Sequence, residues 1–455
     1  MTSGNFSAKG VSAKHTDVEA SRLLENPSLV TFETATQAGG VSTFKIFNKK
    51  IITITNADLA SLIQFDNEEY FGRSEAQKHI MQGVVGESIL TKDGAAWKSL
   101  KGSCNNSLSR NNIEKYHQET QIGLDRALKI QGNQSHEDDL ILKRYDFESI
   151  FVQTTTKVFL NAELSVAEST KLLDAYVEVE TLSANYIKYP ILMLLPAWVP
   201  HPTNIRMRLK SYAIGQVLGP LINKAISKDS KSSSLLRDMD EEVIREKRCP
   251  LKGRDHFSLL KSLYIAAIKT SAVTLEWILM YLSEYPEYWS QLSAECLELY
   301  GTDYPNIEDQ ADPECLENII NETMRLSPTA PLLSRKVIKE CTVAGIKMNK
   351  KDIIFISVYG IHRSPDYWEN PEDFLPNRFL KPHNPKAYLP FQLGPHTCPG
   401  QHLARRMIAT ALIRLAQFYD LEPNRGKSFE NQKSVVAVPK YEQNFRFVKR
   451  NYCLE

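Results

Sequence analysis

The stretch "FQLGPHTCPGQHLARRMIATALIRLAQFY", residues 391–419, constrains the chain more than any other. Two glycines and two prolines crowd around one cysteine in its first ten residues, and a helical apolar pattern follows. Gly394 permits a turn with positive φ, a conformation other residues resist. Pro399 suits the first turn of a helix predicted over about 399–419, because its missing N–H has no partner to lose there. Cys398 then lies at a helix N-terminus, where free N–H groups and the helix dipole favour a thiolate. Gly400 leaves room for something flat to approach the backbone. A fold that carries this loop must hold it rigid and open.

Four uses of Cys398 compete. A buried cysteine at a helix start is common. His396, Cys398 and His402 lie close enough for a metal cluster, but a structural zinc site wants four ligands, usually with paired cysteines. A redox thiol lacks a second cysteine nearby. A thiolate fixed beside a flat partner fits a haem-iron ligand. The loop alone puts the haem reading ahead and leaves the others open. The other cysteines are Cys104, Cys249, Cys296, Cys315, Cys341 and Cys453, an odd total of seven with no CxxC pair. That spacing speaks against a disulfide framework and for a reducing compartment.

Composition narrows the function classes. A formal net charge of +1 over 455 residues leaves no large positive field for nucleic acid. No run of about 18 uncharged apolar residues appears, so no spanning helix is expected. Residues 1–24 lack the apolar core of a signal peptide, and "NYCLE" is not a prenylation box.

Along the chain, "VSTFKIFN" and "KIITIT" read as short strands within residues 30–60. Helical patterns dominate from about 57 to 330. Residues 229–255 are polar and read as a surface connection with a short helix at most. Two long helices are predicted over 256–300, split near Tyr285-Pro286. Strand signals return at 335–357, a proline-rich loop covers 364–397, and hairpin-like sequence closes the chain. The fold class is mainly α (α+β), with small sheets at the ends of the sequence.

Two further stretches add to the cysteine loop. "NETMRLSP" sets Glu322 and Arg325 on one helix face, and "NPEDFLPNRFL" places Arg378 in a proline-bounded loop shortly before the cysteine. Alone, such a pair is usually a solvated helix face. Together with Phe391, Gly394, Cys398 and Gly400, in that order and spacing, they resemble the cytochrome P450 family of haem-thiolate monooxygenases. The resemblance covers nearly the whole chain, as one domain over 1–455 with about the first 25 residues flexible. It implies haem b (iron protoporphyrin IX) between a long distal helix and the proximal cysteine loop, with Cys398 on the iron. Glu322, Arg325 and Arg378 would form a buried network behind it. Trp97 and Lys101 in "DGAAWKSLKGSC", Arg335 in "PLLSRKV" and His396 would meet the propionates; Lys101 stands where the family usually has arginine.

One stretch departs from the family pattern. Ala266–Ser271 reads "AAIKTS": Thr270 keeps the alcohol of the proton relay, but Lys269 replaces the acid. Lys269 either joins proton delivery, grips a substrate carboxylate, or turns away into an ion pair and leaves Thr270 and water to carry protons. The resemblance further implies a lipophilic substrate (a terpenoid, polyketide, alkaloid or lipid of secondary metabolism), held by apolar segments near 75–92, 180–205, 264–270, 329–334 and 434–439. It implies O2 and a separate reductase docking near Lys101, Arg405 and Arg406. An isomerase, dehydratase or peroxygenase working without a reductase is the alternative, and a catalytically silent haem-binding homologue a second one. The family's apolar anchor and proline-rich hinge are not seen in residues 1–30, which points to a cytoplasmic protein or one peripheral to the endoplasmic reticulum. "YPILMLLPAWVPHP", within 189–202, would be the lipid contact.

Overall fold

The computed structural model describes the chain apart from residues 1–4, 7–12, 47–48, 66–68, 76–77, 79–80, 83–84, 133–138, 189–198, 228–233, 246–252, 306–311, 427, 431–435 and 451–455. Its centre is the helix Gly253–Glu284. Leu275, Trp277, Ile278, Leu279 and Leu282 are inaccessible to solvent on every side of it, as a helix apolar all round must be. Its stretch Ser258–Glu284 is long and apolar enough to cross a membrane, yet most of it is buried in this core. Around it pack Arg144–Leu160, Val166–Lys188, Pro202–Ile226, Glu314–Leu326 and Gln401–Phe418. Pro286 opens the next helix, Pro286–Tyr300, at the first position, where proline is tolerated.

The β-rich part has its own core of Val41, Ile52, Ile54, Leu333, Ile354 and Ile356. Its six-stranded sheet runs in the order Lys14–His15, Val41–Ile46, Lys49–Ile54, Ile353–Ser357, Leu332–Val337, Phe71–Gly72. Ile353 pairs with Ile51 in parallel and with Lys336 antiparallel. The sheet therefore joins segments from both ends of the chain, and helix Ala57–Phe65 leads from it to the cysteine loop.

Three expectations need correction. Residues 27–37 are helical, Pro27–Gln37, with the Asn26 side chain accepting from Leu29 N–H. The polar connection contains an eleven-residue helix, Leu235–Arg245, whose Leu235, Leu236 and Met239 are buried; three apolar side chains on one face suffice where the partner surface is ready. The closing strands are not a local hairpin: Phe445–Lys449 lies between Tyr419–Leu421 and the distant Leu140–Leu142. Residues 189–198 of the expected lipid contact lie outside the described residues.

Candidate active site

The cysteine loop is held by groups other than the thiol. Gly394 has φ +66°, and a Cβ there would sit 2.5 Å from the Gln64 carbonyl oxygen and 2.9 Å from Phe65 Cα. Glycine is required twice, for conformation and for space. Gln64 also accepts from Leu393 N–H at 3.1 Å. The Cys398 N–H donates to the Phe391 carbonyl at 2.8 Å and Thr397 N–H to that of Gly394 at 3.0 Å. Helix Gln401–Phe418 starts after Gly400, its N-cap, so Pro399 precedes the helix rather than opening it. Burial pushes the Cys398 thiol up, while the Gly400 N–H and the Lys101 charge pull it down. A Cβ on Gly400 would have only the Cys398 sulfur near it, at 4.0 Å, so that face of the loop is open.

One cation lies near the sulfur and two more gather around His396 and Trp97. Lys101 is buried and donates to the Thr397 carbonyl, one residue before the cysteine. The Trp97 and His396 rings lie 4.3 Å apart. Arg335 donates to Gln392 Oε1 at 2.9 Å, and burial and the neighbouring Arg73 push its guanidinium down to about 10. Burial, then Arg335, Arg73 and Lys101, push the His396 imidazole down to about 3. Arg73, which the sequence reading missed, lies 5.8 Å from the centre of the Trp97 ring and donates to the Ile89 carbonyl at 2.6 Å. Asp93 offsets part of its charge but is itself paired with Lys78. The Trp97 Nε1–H is buried without a hydrogen-bond partner among the described residues. Three permanent cations around an orphaned indole N–H, short of carboxylates, are the surroundings a dianion needs. The two propionates of a haem fit them, and Cys398 fits its iron.

Behind the loop, Glu322 and Arg325 are inaccessible to solvent. Glu322 Oε2 accepts from Arg325 Nε at 2.8 Å, and its Oε1 accepts from Arg325 Nη2 at 2.9 Å, Arg378 Nε at 3.0 Å and Leu375 N–H at 2.8 Å. Arg325 also donates to the carbonyls of His362, Pro371 and Asp373. His362, a lone histidine in sequence, completes the network. Its Nδ1–H donates to the Arg325 carbonyl (3.0 Å), because its Nε2 accepts from Leu389 N–H (2.8 Å).

That geometry carries a pH dependence. Burial and the Arg325 charge push His362 down to about 3. The folded value lies below the unfolded one of about 6.5. The neutral ring's contribution is therefore complete above pH 6.5 and is lost as pH falls toward 3. Between pH 6.5 and 5, before ordinary carboxylates titrate, the loss is about 2 kcal/mol. Urea unfolding across that window will show a flatter decline in His362→Gln, which keeps one donor and one acceptor, than in the parent. Equal slopes would mean that the ring is not held neutral.

The long helix supplies the other wall. From Leu259 to Ser283 only Ile265, Ala266, Ala267 and Thr270 escape burial, all within the turn 265–270. Thr270 Oγ1 donates to the Ala266 carbonyl at 2.6 Å. Lys269 turns away into an ion pair: its Nζ meets Glu148 Oε1 at 2.5 Å and Glu180 Oε2 at 3.0 Å. The ion-pair alternative is the geometry found, and it corrects a direct role for Lys269 in the pocket. The basic docking patch is corrected too. Lys101 is buried, Arg405 pairs with Glu317 at 2.8 Å, and Arg406 pairs with Glu114 at 2.7 Å.

Comparison with known proteins agrees with this geometry. The cytochrome P450 family profile matches residues 19–447. The chain is similar to cytochrome P450 81F2 of Arabidopsis thaliana, 36% identical over 174 residues, 38% of this chain and 35% of that protein. It is 26% identical to cytochrome P450 81D1 of the same plant over 408 residues, 84% of this chain and 78% of that one. It is 35% identical to an isoflavone 3'-hydroxylase of Medicago truncatula over 172 residues, 37% of this chain and 34% of that protein. Two of these alignments thus span about a third of the relative's length. With a matched profile over most of its length, a cysteine loop held open beside a cation cluster, and a sealed Glu322–Arg325–Arg378 network, the chain belongs to the cytochrome P450 family of haem-thiolate oxidoreductases.

Proposed function

We propose that this chain is a monooxygenase that inserts one oxygen atom of O2 into a lipophilic small molecule, with electrons from a separate reductase. The observation that carries the reading is the anion-poor cluster of Arg73, Arg335 and His396 around the unpartnered Trp97 N–H, next to Cys398. Haem b, when bound there, supplies an iron centre for O2 activation. Cys398 would ligate it; Trp97, Arg73, Arg335 and His396 would hold its propionates. Lys101 steadies the cysteine loop through the Thr397 carbonyl. To Thr270, which escapes burial on the long helix, we assign the holding and passing of a proton at Oγ1.

The substrate side is apolar. Ile265, Ala266 and Ala267 are not buried, and we assign the segments 329–334 and about 434–439 to the pocket by the family resemblance. Two relatives are named isoflavone hydroxylases, which makes a flat polycyclic aromatic the first ligand class to try beside terpenoids and lipids. On the outer side of the cysteine loop a groove of about 670 Å³ is lined by Phe65, Phe391, Gln392, Pro395 and Arg405. This is the surface we assign to the reductase, through shape rather than a broad basic patch. Helix Pro202–Ile226 exposes Ile205, Leu209 and Tyr212 along one side, extending a peripheral lipid contact beyond 199–202; a position at the endoplasmic reticulum surface suits it.

The test is turnover of a ligand that shifts the haem spectrum, driven either by a reductase with NADPH or by peroxide alone. Product that requires reductase and carries one atom from labelled O2 supports the reading. Full turnover without reductase or O2 sinks it in favour of an isomerase, dehydratase or peroxygenase.

A further inference from the structure

The turn 265–270, midway along the long helix, is tied at both ends to one neighbour. Lys269 Nζ donates to Glu180, and the Ile265 carbonyl accepts from Tyr176 Oη at 3.4 Å. Tyr176 and Glu180 are four residues apart, on one face of helix Val166–Lys188. Glu148, from helix Arg144–Leu160, takes the same ammonium from another side. Three helices therefore meet at one nitrogen, directly beside Thr270.

The Lys269 ammonium stays charged, although burial holds the Glu148 carboxyl above its ordinary value. Burial opposes the ammonium, but Glu180 and Glu148 outweigh burial and raise the Lys269 pKa. Glu276, two turns on along the long helix, is taken by Arg144 at 2.8 Å and leaves Lys269 to the other two carboxylates. An ammonium held so firmly neither gives up nor collects a proton for the pocket. Its effect is mechanical. The two arms differ: the Glu148 side chain is 3% exposed and the Glu180 side chain 27%. Glu180 is thus the arm water can reach and compete for.

We propose that Lys269, Glu148 and Glu180 are positioning residues that fix the turn 265–270 and with it the direction of the Thr270 hydroxyl. Glu180 is the releasable arm, so displacement of helix Val166–Lys188 is transmitted to Thr270. The proposal rests on the monooxygenase reading for what Thr270 does, not for how it is held.

Lys269→Met keeps the side-chain length without the charge, and Glu180→Gln keeps an acceptor at the half-open arm. In the haem-loaded protein, amide hydrogen exchange at 265–270 will be at least tenfold faster in both, while 275–283 is unchanged. The share of electrons lost as peroxide will rise several-fold. Lys269→Met/Glu180→Gln will be no worse than Lys269→Met, since partners in one unit couple. Lys269→Arg will restore most of the protection. Parental exchange at 265–270 in both single variants, or fully additive effects in the double one, overturns the proposal. Should Lys269→Met fail to fold, exchange in Glu180→Gln decides alone. A parent chain that binds no haem sinks the monooxygenase reading, and exchange on the haem-free protein still tests the knot.

Discussion

Cys398→Ala will fold and will not show the red-shifted reduced-carbonyl absorption band of a haem-thiolate protein. Both halves follow from how the loop is built. Its shape comes from backbone hydrogen bonds at Cys398 and Thr397, from Gln64 and Gln392 side chains, and from the Lys101 bond to the Thr397 carbonyl. None of these uses the sulfur. Alanine loses one partly buried thiol, so the thermal unfolding midpoint of the haem-free protein will move little. The ligand, by contrast, has no understudy. His396 is turned onto Trp97, and no group of three or more His, Cys, Asp or Glu able to hold a metal occurs among the described residues. The expected change is complete loss of the band, not a weakening. A full-height band in Cys398→Ala would remove the central assignment.

Glu322→Ala will cost about 3–5 kcal/mol, because it strands two guanidinium groups behind the loop. Arg325 is wholly buried and Arg378 nearly so, and Glu322 is the carboxylate that both meet. The carbonyls of His362, Pro371 and Asp373 still accept from Arg325, but neutral acceptors do not replace a counter-charge. Against a usual total of about 5–15 kcal/mol, the loss takes about a fifth of the margin or more. Soluble yield and haem content will both collapse, and urea unfolding of what remains will begin at much lower denaturant. Glu322→Gln, with its acceptor oxygen kept, will lie between. An unshifted midpoint with full haem content in Glu322→Ala would reduce the network to a solvated helix face.

What the sequence made legible was local. Phe391, Gly394, Cys398 and Gly400 stand within ten residues, Glu322 and Arg325 within one helical turn, and Arg378 in a loop whose prolines mark it. The long helix was visible from its length and apolar content, and its end from Pro286. What stayed hidden depends on contacts between distant segments. Nothing near Arg73 distinguishes it from a surface arginine until Trp97 and Arg335 arrive beside it. His362 is one histidine among ten, and its role exists only between Arg325 and Leu389. The same holds for Lys269. Its identity could be read as a reagent, a clamp or an ion-pair partner, and the choice rested on Glu148 and Glu180, about ninety to 120 residues earlier. Lys101 carried two readings, a propionate contact and a docking charge; its ammonium is buried against a backbone carbonyl, which overturns only the docking one.

The pairing of Lys49–Ile54 with Ile353–Ser357 has a consequence for how the protein is made. During synthesis the early strand gains Val41–Ile46 on one edge at once, but its other edge waits for a partner roughly 300 residues downstream. At about 5–20 residues per second, the edge with Ile51, Ile52 and Ile54 stays open for about 15–60 seconds. Such an edge invites pairing with other chains. Ribosome speed, chaperone supply and growth temperature will therefore affect the yield of this protein.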